Sequence, residues 1–194
     1  TMAVRIPVLL AGVATIWVFY LLLRRLAGER AAVFGCGLLA ADSLYLLTIC
    51  FDWGPVALQH LLLLSGMLLL LRFHQQRSHA SLAAGCFLLG LAMWDKALAA
   101  WMLGGLGLAA ITIVPRQILG VLTPRRAGLA ALAFALGALP LIVYNAANQG
   151  VTFRGNASWD TSDLAGKARL LRATAGSNAL FGWLNFKTGR PRHR

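Results

Sequence analysis

Long apolar runs separated by short polar clusters fill the first 144 residues of the sequence. A helix that crosses a membrane needs roughly 17–25 mostly apolar residues. The runs therefore predict helices over 6–23, 31–51, 55–71, 81–94, 97–114 and 127–144. Pro140 is expected to kink the last of them, because proline removes a backbone donor. This pattern predicts an all-α, polytopic transmembrane bundle of about six helices.

The apolar run over 81–114 is too long for one ordinary span, and only Asp95 and Lys96 interrupt it. We interpret it as a hairpin of two helices that turns at this pair. Three small residues, Gly104, Gly105 and Gly107, are expected to allow close helix contact in the second helix. A single tilted helix is the alternative, and it would place the rest of the chain on the other side of the membrane.

The character of the sequence changes at Asn145, where polar residues replace the apolar runs. Within 163–174, Leu164, Ala168 and Leu171 recur at helical spacing, with basic residues on the other faces. We predict that 145–194 forms an extracytoplasmic segment containing an interfacial helix. A solvated surface helix is the alternative.

Composition supports a membrane location and argues against a nucleic-acid partner. Hydrophobic residues make up 59% of the 194 residues and charged residues only 12%, against about 25% charged in soluble domains. The net charge of +12 resides in short clusters between apolar runs, as expected beside an anionic membrane. The loops at 24–30, 72–80 and 115–126 carry eight arginines, which predicts that they are cytoplasmic. The tail also carries eight basic residues, so charge alone does not decide its side.

Few ionisable residues lie at membrane depth, where they are costly and often functional. Asp52 lies in an Asp-Trp-Gly-Pro turn before the third predicted helix. It is a candidate active-site acid that holds a substrate hydroxyl or a divalent metal ion, and no other cofactor is expected. Capping of that helix is the alternative. Gln59 and His60 follow about two turns later on roughly the same face, although a packing role is commoner for such a histidine.

Lys96 is the only lysine among the first 166 residues, and its compact charge suits a lipid phosphate. The alternative is that Asp95 and Lys96 merely keep the hairpin turn hydrated. Asp42, near the middle of the second predicted helix, is expected to be a buried, hydrogen-bonded polar residue between helices.

Several segments, in this order, resemble a family of membrane enzymes. VRIPVLLAGVATIWVFYLLLRRLAGERAAVFGCGLLA resembles the second and third membrane helices of glycosyltransferase family 39-like enzymes of the GT-C superfamily. This group includes protein O-mannosyltransferases and the lipid A aminoarabinose transferase. LLLLRF and LAAGCFLLGLAMWDKALAAW are similar to the family's lysine-containing hairpin, and the Asp52 turn stands where the family has an extracytoplasmic acid. The resemblance covers roughly residues 4–145.

The resemblance implies an integral membrane glycosyltransferase that moves a sugar from a polyprenyl-phosphate carrier to an extracytoplasmic acceptor. It implies that Lys96 meets the carrier phosphate and that Asp52 is a secondary acid. We expect Gln59, His60 and Asp95 to bind substrate, and we expect the protein to lie in a bacterial inner membrane. The hairpin, and hence an extracytoplasmic tail, also agrees with the family.

Two departures from the family pattern matter. The family's main catalytic acid follows its first helix, whereas this chain begins at about the second, so we expect an N-terminally truncated fragment. Asp95 replaces the usual small hydroxyl residue before the lysine, where it could pair with Lys96 and weaken its attraction for phosphate. A secondary transporter and a non-catalytic membrane subunit are the alternative functions.

Overall fold

A computed structural model describes residues 2–50, 56–113, 120, 123–154 and 163–175. The chain divides into two compact units, Thr1–Thr152 and Phe153–Arg194. The helices of the first unit are α1 (Met2–Ala27), α2 (Glu29–Ala41), α3 (Ser43–Cys50), α4 (Val56–Gln76), α5 (His79–Asp95), α6 (Ala99–Ile113), α7 (Pro124–Gly137) and α8 (Leu139–Ala147). A short helix, α9 (Val151–Arg154), lies at the boundary, and α10 (Leu164–Ala175) belongs to the second unit.

The described residues form helices and no strand, which confirms the predicted all-α helical membrane bundle. Helices α1 and α4 are each long and apolar enough to cross a membrane. Counting each of the bent pairs α2–α3 and α7–α8 as one span gives up to four spans by length and composition. Helices α5 and α6 are apolar but have only 17 and 15 residues. At 1.5 Å per residue they reach roughly 22–26 Å, somewhat less than the hydrocarbon core.

The second predicted helix is broken at Asp42, where α2 and α3 meet at a bend of 62°. The Asp42 carboxylate accepts a 2.7 Å hydrogen bond from the backbone N–H of Tyr45, so it caps the start of α3. Aspartate favours this position because its oxygen satisfies a free helix donor. Asp42 is also exposed within the chain. The prediction of a continuous helix over 31–51 and of a buried Asp42 between helices is therefore wrong.

The kink predicted at Pro140 is present. Helix α7 ends at Gly137, and α8 begins at Leu139 after a bend of 68°. Pro140 occupies the first turn of α8, where its missing N–H breaks no hydrogen bond. The bend therefore follows from the same residue that the sequence singled out.

Contacts near three helix ends define one end of the bundle, here called the arginine end. Arg25 of α1 donates a 3.1 Å hydrogen bond to Gln75 of α4, and the Arg126 guanidinium of α7 lies 5.7 Å from the centre of the Phe73 ring. The ends of α1 and α4 and the start of α7 therefore meet here. Helix α5 also starts here, because only residues 77–78 separate it from α4. Helices α4 and α5 are thus antiparallel, whereas α5 and α7 are parallel.

The opposite end of the first unit, here called the lysine end, holds the start of α4 and the end of α5, with Lys96 directly after α5. The chain leaves the lysine end after Lys96 and is back at the arginine end where α7 starts. Helix α6 belongs to the segment that connects these two points. Helix α6 has little contact with α5 beyond their junction. Its first residue, Ala99, is fully buried against Leu63, Leu89 and Ala92. Farther along α6, Trp101 is 80% exposed.

Glycines set the closest approaches between helices. A Cβ on Gly66 of α4 would lie 3.2 Å from the carbonyl oxygen of Gly85 in α5, and one on Gly85 would lie 3.1 Å from that of Gly66. A Cβ on Gly90 of α5 would collide with the carbonyl oxygen of Phe134 in α7, and one on Gly137 would collide with that of Phe87. Nothing lies within 4 Å of such an atom at the three glycines singled out in α6, so within the described chain they make no close contact: Gly104, Gly105 and Gly107.

The second unit contains α10, which starts next to Asp163. The Asp163 carboxylate accepts a 2.8 Å hydrogen bond from the backbone N–H of Gly166 and so stabilises the first turn. Leu164 and Leu171 are 67% and 72% exposed. The helix predicted near 163–174 is therefore present, and its location at a membrane surface remains a prediction.

Gly137→Ala is expected to destabilise the protein by about 1–3 kcal/mol, because the new methyl group would separate α5 from α7. Gly104→Ala is the matched control, since its new methyl group meets open space and alanine favours a helix. Thermal unfolding in detergent, followed by size-exclusion chromatography, measures both variants. Equal midpoints for the two would contradict the glycine contact between α5 and α7.

Candidate active site

Two antiparallel helices bring four of the predicted site residues to the lysine end. Gln59 and His60 lie in the first two turns of α4, whereas Asp95 is the last residue of α5 and Lys96 follows it. The two pairs are 35 or more positions apart in sequence. They lie at the same end of the bundle because α4 and α5 are antiparallel and joined by a short connection. The Lys96 charge acts electrostatically on both His60 and Asp95. The structure therefore supports a polar cluster of His60, Asp95 and Lys96 built from two helices, with Gln59 next to it in α4.

Three buried side-chain atoms at the lysine end have no hydrogen-bond partner within the described chain: Gln59 Nε2, His60 Nδ1 and Asp95 Oδ2. An unsatisfied buried polar atom costs about 1–3 kcal/mol, and most such atoms in proteins have a partner. Gln59 is only 5% exposed, so bulk solvent does not compensate it. A polar ligand at the lysine end would supply the missing partners.

The Lys96 backbone N–H closes α5 by donating a 3.1 Å hydrogen bond to the carbonyl oxygen of Ala92. Lys96 is therefore the C-terminal cap residue of α5, and a cationic residue is favourable near a helix C-terminus. Asp95 is in the opposite situation, because a carboxylate at that terminus is unfavourable. No hydrogen bond or ion pair joins Asp95 to Lys96 among the contacts of the described residues. Asp95 and Lys96 therefore attract each other through their charges without a direct contact.

A cavity of about 430 Å³ extends from His60 between α1, α4 and α6, with further wall residues from α2 and α3. Thr15 and Tyr45 are polar residues of its wall, and both hydroxyls already donate to backbone carbonyls of α1, at 2.7 Å each. The rest of the wall, apart from His60, is apolar: Phe19, Leu39, Leu63, Leu64, Met67, Met102, Leu103 and Leu106. The volume lies in the range of ligand pockets, and the walls suit a hydrocarbon chain.

Sequence reasoning missed this cavity and its supporting residues. Tyr45 lies inside an apolar run, and its ring centre is 6.2 Å from that of His60. Its hydroxyl reaches the carbonyl oxygen of Gly12, 33 positions earlier in the chain. A lone tyrosine in an apolar run was the available signal, but no local spacing indicates so distant a partner.

Asp52, the predicted catalytic acid and uncertain metal ligand, lies outside the described residues. Within the described chain, no three His, Cys, Asp or Glu side chains come together as a metal site. The described residues thus supply no donor set for the candidate divalent metal.

The fold and the site define a helical membrane protein with a cationic polar cluster beside an apolar cavity. Residues 1–144 match the family model of dolichyl-phosphate-mannose-protein mannosyltransferases. The chain belongs to this family, whose members are membrane glycosyltransferases of the GT-C type. The match confirms the resemblance to family 39-like enzymes. Neither the curated proteins nor the solved structures contain a significant match to the chain.

Asp42→Ala is expected to lower stability by about 0.5–2 kcal/mol through loss of the α3 cap, without loss of transfer activity at a permissive temperature. Asp42→Asn should retain both stability and activity, because asparagine caps equally well. Thermal midpoints and sugar-transfer rates measured on the same membranes check this. A large loss of activity in a stable Asp42→Asn protein would mean that Asp42 belongs to the site.

Proposed function

We propose that this chain is part of an enzyme that transfers a sugar from a polyprenyl-phosphate carrier to an acceptor on the extracytoplasmic side of a bacterial inner membrane. Glycosyl transfer in a membrane follows from the family. The polyprenyl-phosphate donor is proposed because Lys96 lies at the polar lysine end, near the buried polar atoms of His60 and Asp95. The acceptor is a lipid, a glycan or a protein.

A polyprenyl-phosphate sugar is amphiphilic, and the site has the same division. The cavity walls from α1, α4 and α6 suit isoprenoid carbon, while Lys96 suits the phosphate. His60 lies at the boundary, because it lines the cavity and also belongs to the polar cluster. The sugar would then lie near His60, with the acceptor approaching from the extracytoplasmic side.

The reaction requires charge stabilisation at the leaving group. As the acceptor hydroxyl oxygen attacks the anomeric carbon, its proton passes to a carboxylate base, the role that the family resemblance gives to the main catalytic acid after the first family helix. The bond from the anomeric carbon to the phosphate oxygen breaks, and the carrier gains negative charge. Lys96 would stabilise this charge, and a fixed cation at the developing charge is an effective contribution to catalysis. Asp52 remains the candidate secondary acid near the acceptor.

The alternative functions receive less support. A secondary transporter would also use scarce intramembrane charges, but membership of a glycosyltransferase family favours an enzyme. A non-catalytic subunit predicts that replacement of Lys96 is tolerated. The Lys96 experiment therefore separates the enzyme from the subunit directly.

Lys96→Ala in the protein at its native length is expected to reduce transfer from a polyprenyl-phosphate sugar by roughly 10²- to 10³-fold, because the leaving phosphate loses its cation. Arg72→Ala is the matched control, since Arg72 is an exposed cation near the arginine end that contacts Gln76 of its own helix. Radiolabelled sugar transfer in proteoliposomes measures both. Unchanged turnover of a folded Lys96→Ala protein would refute the assignment.

A single cysteine at Ser158, in a background without Cys36, Cys50 and Cys86, is expected to react with an impermeant reagent added to intact cells. The reason is that an extracytoplasmic segment after residue 144 belongs on the same side as the proposed acceptor. Labelling is compared before and after the cells are opened. Protection until opening would separate this segment from the acceptor side and contradict the proposed topology.

A further inference from the structure

We infer that Asp95 recognises the sugar of the carrier lipid by accepting a hydrogen bond from a sugar hydroxyl or amino group, while Lys96 binds the phosphate. The inference rests on the proposed function and assigns separate parts of one ligand to two adjacent residues. It makes Asp95 a specificity-determining residue of the donor site.

The unpartnered atoms include both donors and an acceptor, so a ligand that satisfies all of them needs acceptor and donor groups. Gln59 Nε2 is a donor, and a phosphate oxygen would satisfy it. The same oxygen could accept from His60 Nδ1 when that nitrogen carries the proton. Asp95 Oδ2 is buried and only accepts hydrogen bonds when it is ionised, so a phosphate without donor groups leaves it unsatisfied.

The negative charge of Asp95 is unfavourable next to a bare phosphate. A carboxylate beside a phosphate site repels the phosphate, and like charges close together are unfavourable. No ion pair with Lys96 neutralises Asp95 within the described chain. The helix terminus also disfavours a carboxylate at this position. A ligand that presents donor groups next to its phosphate relieves this arrangement, and a sugar esterified to a lipid phosphate has that chemistry.

Asp95 and Lys96 are placed so that one ligand could contact both of them. Asp95 and Lys96 are consecutive at the end of α5, and the Lys96 charge acts on Asp95 and on His60. The apolar cavity lies on the His60 side of the cluster. A carrier with its isoprenoid chain in the cavity would therefore present its phosphate and its sugar to the end of α5.

The test compares two lipids of equal charge, because a change of charge at Asp95 affects all anions. One is a short-chain polyprenyl phosphate esterified to a sugar, taken from a panel of mannosyl and glucosyl esters, whose sugars are uncharged. The other is the polyprenyl methyl phosphate diester, which has the same phosphate charge and no sugar. The Kd of each is measured on the purified full chain in detergent or nanodiscs.

We expect the unmodified protein to bind at least one sugar ester more tightly than the methyl diester. The ratio of the Kd of the methyl diester to the Kd of the sugar ester measures this preference. Asp95→Asn should reduce that ratio by about tenfold, since hydrogen bonds to charged groups are stronger than neutral ones. Asp95→Ala, which removes the acceptor entirely, should reduce it further. Asp42→Asn makes the same chemical change at a helix cap outside the cluster and should leave the ratio unchanged.

The outcomes separate the inference from the proposed function. If neither lipid class binds the unmodified protein, the proposed function fails. If both classes bind, the inference is overturned by equal affinity for the two, or by a ratio that Asp95→Asn leaves unchanged. A thermal midpoint establishes that each variant is folded, and Asp95→Asn is expected to fold because it removes a carboxylate from an unfavourable helix terminus.

Discussion

The close contact of α5 with its two neighbours is the constraint on which the site depends. Gly66 and Gly85 let α4 approach α5, and Gly90 and Gly137 let α7 approach it from another side. Helices in a membrane gain little from the hydrophobic effect, so packing through small residues is a main source of their association. These contacts hold the end of α5, and hence Lys96, beside the start of α4.

The second constraint is that polar groups in a membrane protein need partners inside the protein. Several described polar side chains in the apolar helices satisfy it locally or with a neighbouring helix. Thr15 bonds to its own helix, Tyr45 bonds to α1, and Asn145 bonds to the carbonyl oxygen of Leu141. By contrast, the buried atoms His60 Nδ1 and Asp95 Oδ2 have no partner in the described chain, and both residues lie at the lysine end.

Sequence alone predicted the helical class, the family and the kink at Pro140, because each depends on local composition or an ordered series of motifs. It failed at Asp42, where a side-chain cap breaks a run that is apolar on both sides. It also singled out the glycines of α6, which make no close contact with the described residues, and did not single out the glycines of α4, α5 and α7 that do. The cavity could not be predicted, because its wall combines residues from five helices.

The adjacent opposite charges at Asp95 and Lys96 can be explained by the ligand better than by stability. A salt bridge would explain the pair, but none is formed in the described chain. The helix terminus favours the lysine and disfavours the aspartate, so the fold gains from only one of them. Sequences depart from local structural preference mainly at functional sites. A donor lipid with both a negative phosphate and hydrogen-bond donors gives a use to both charges, which neither a bare anion nor an apolar ligand would do.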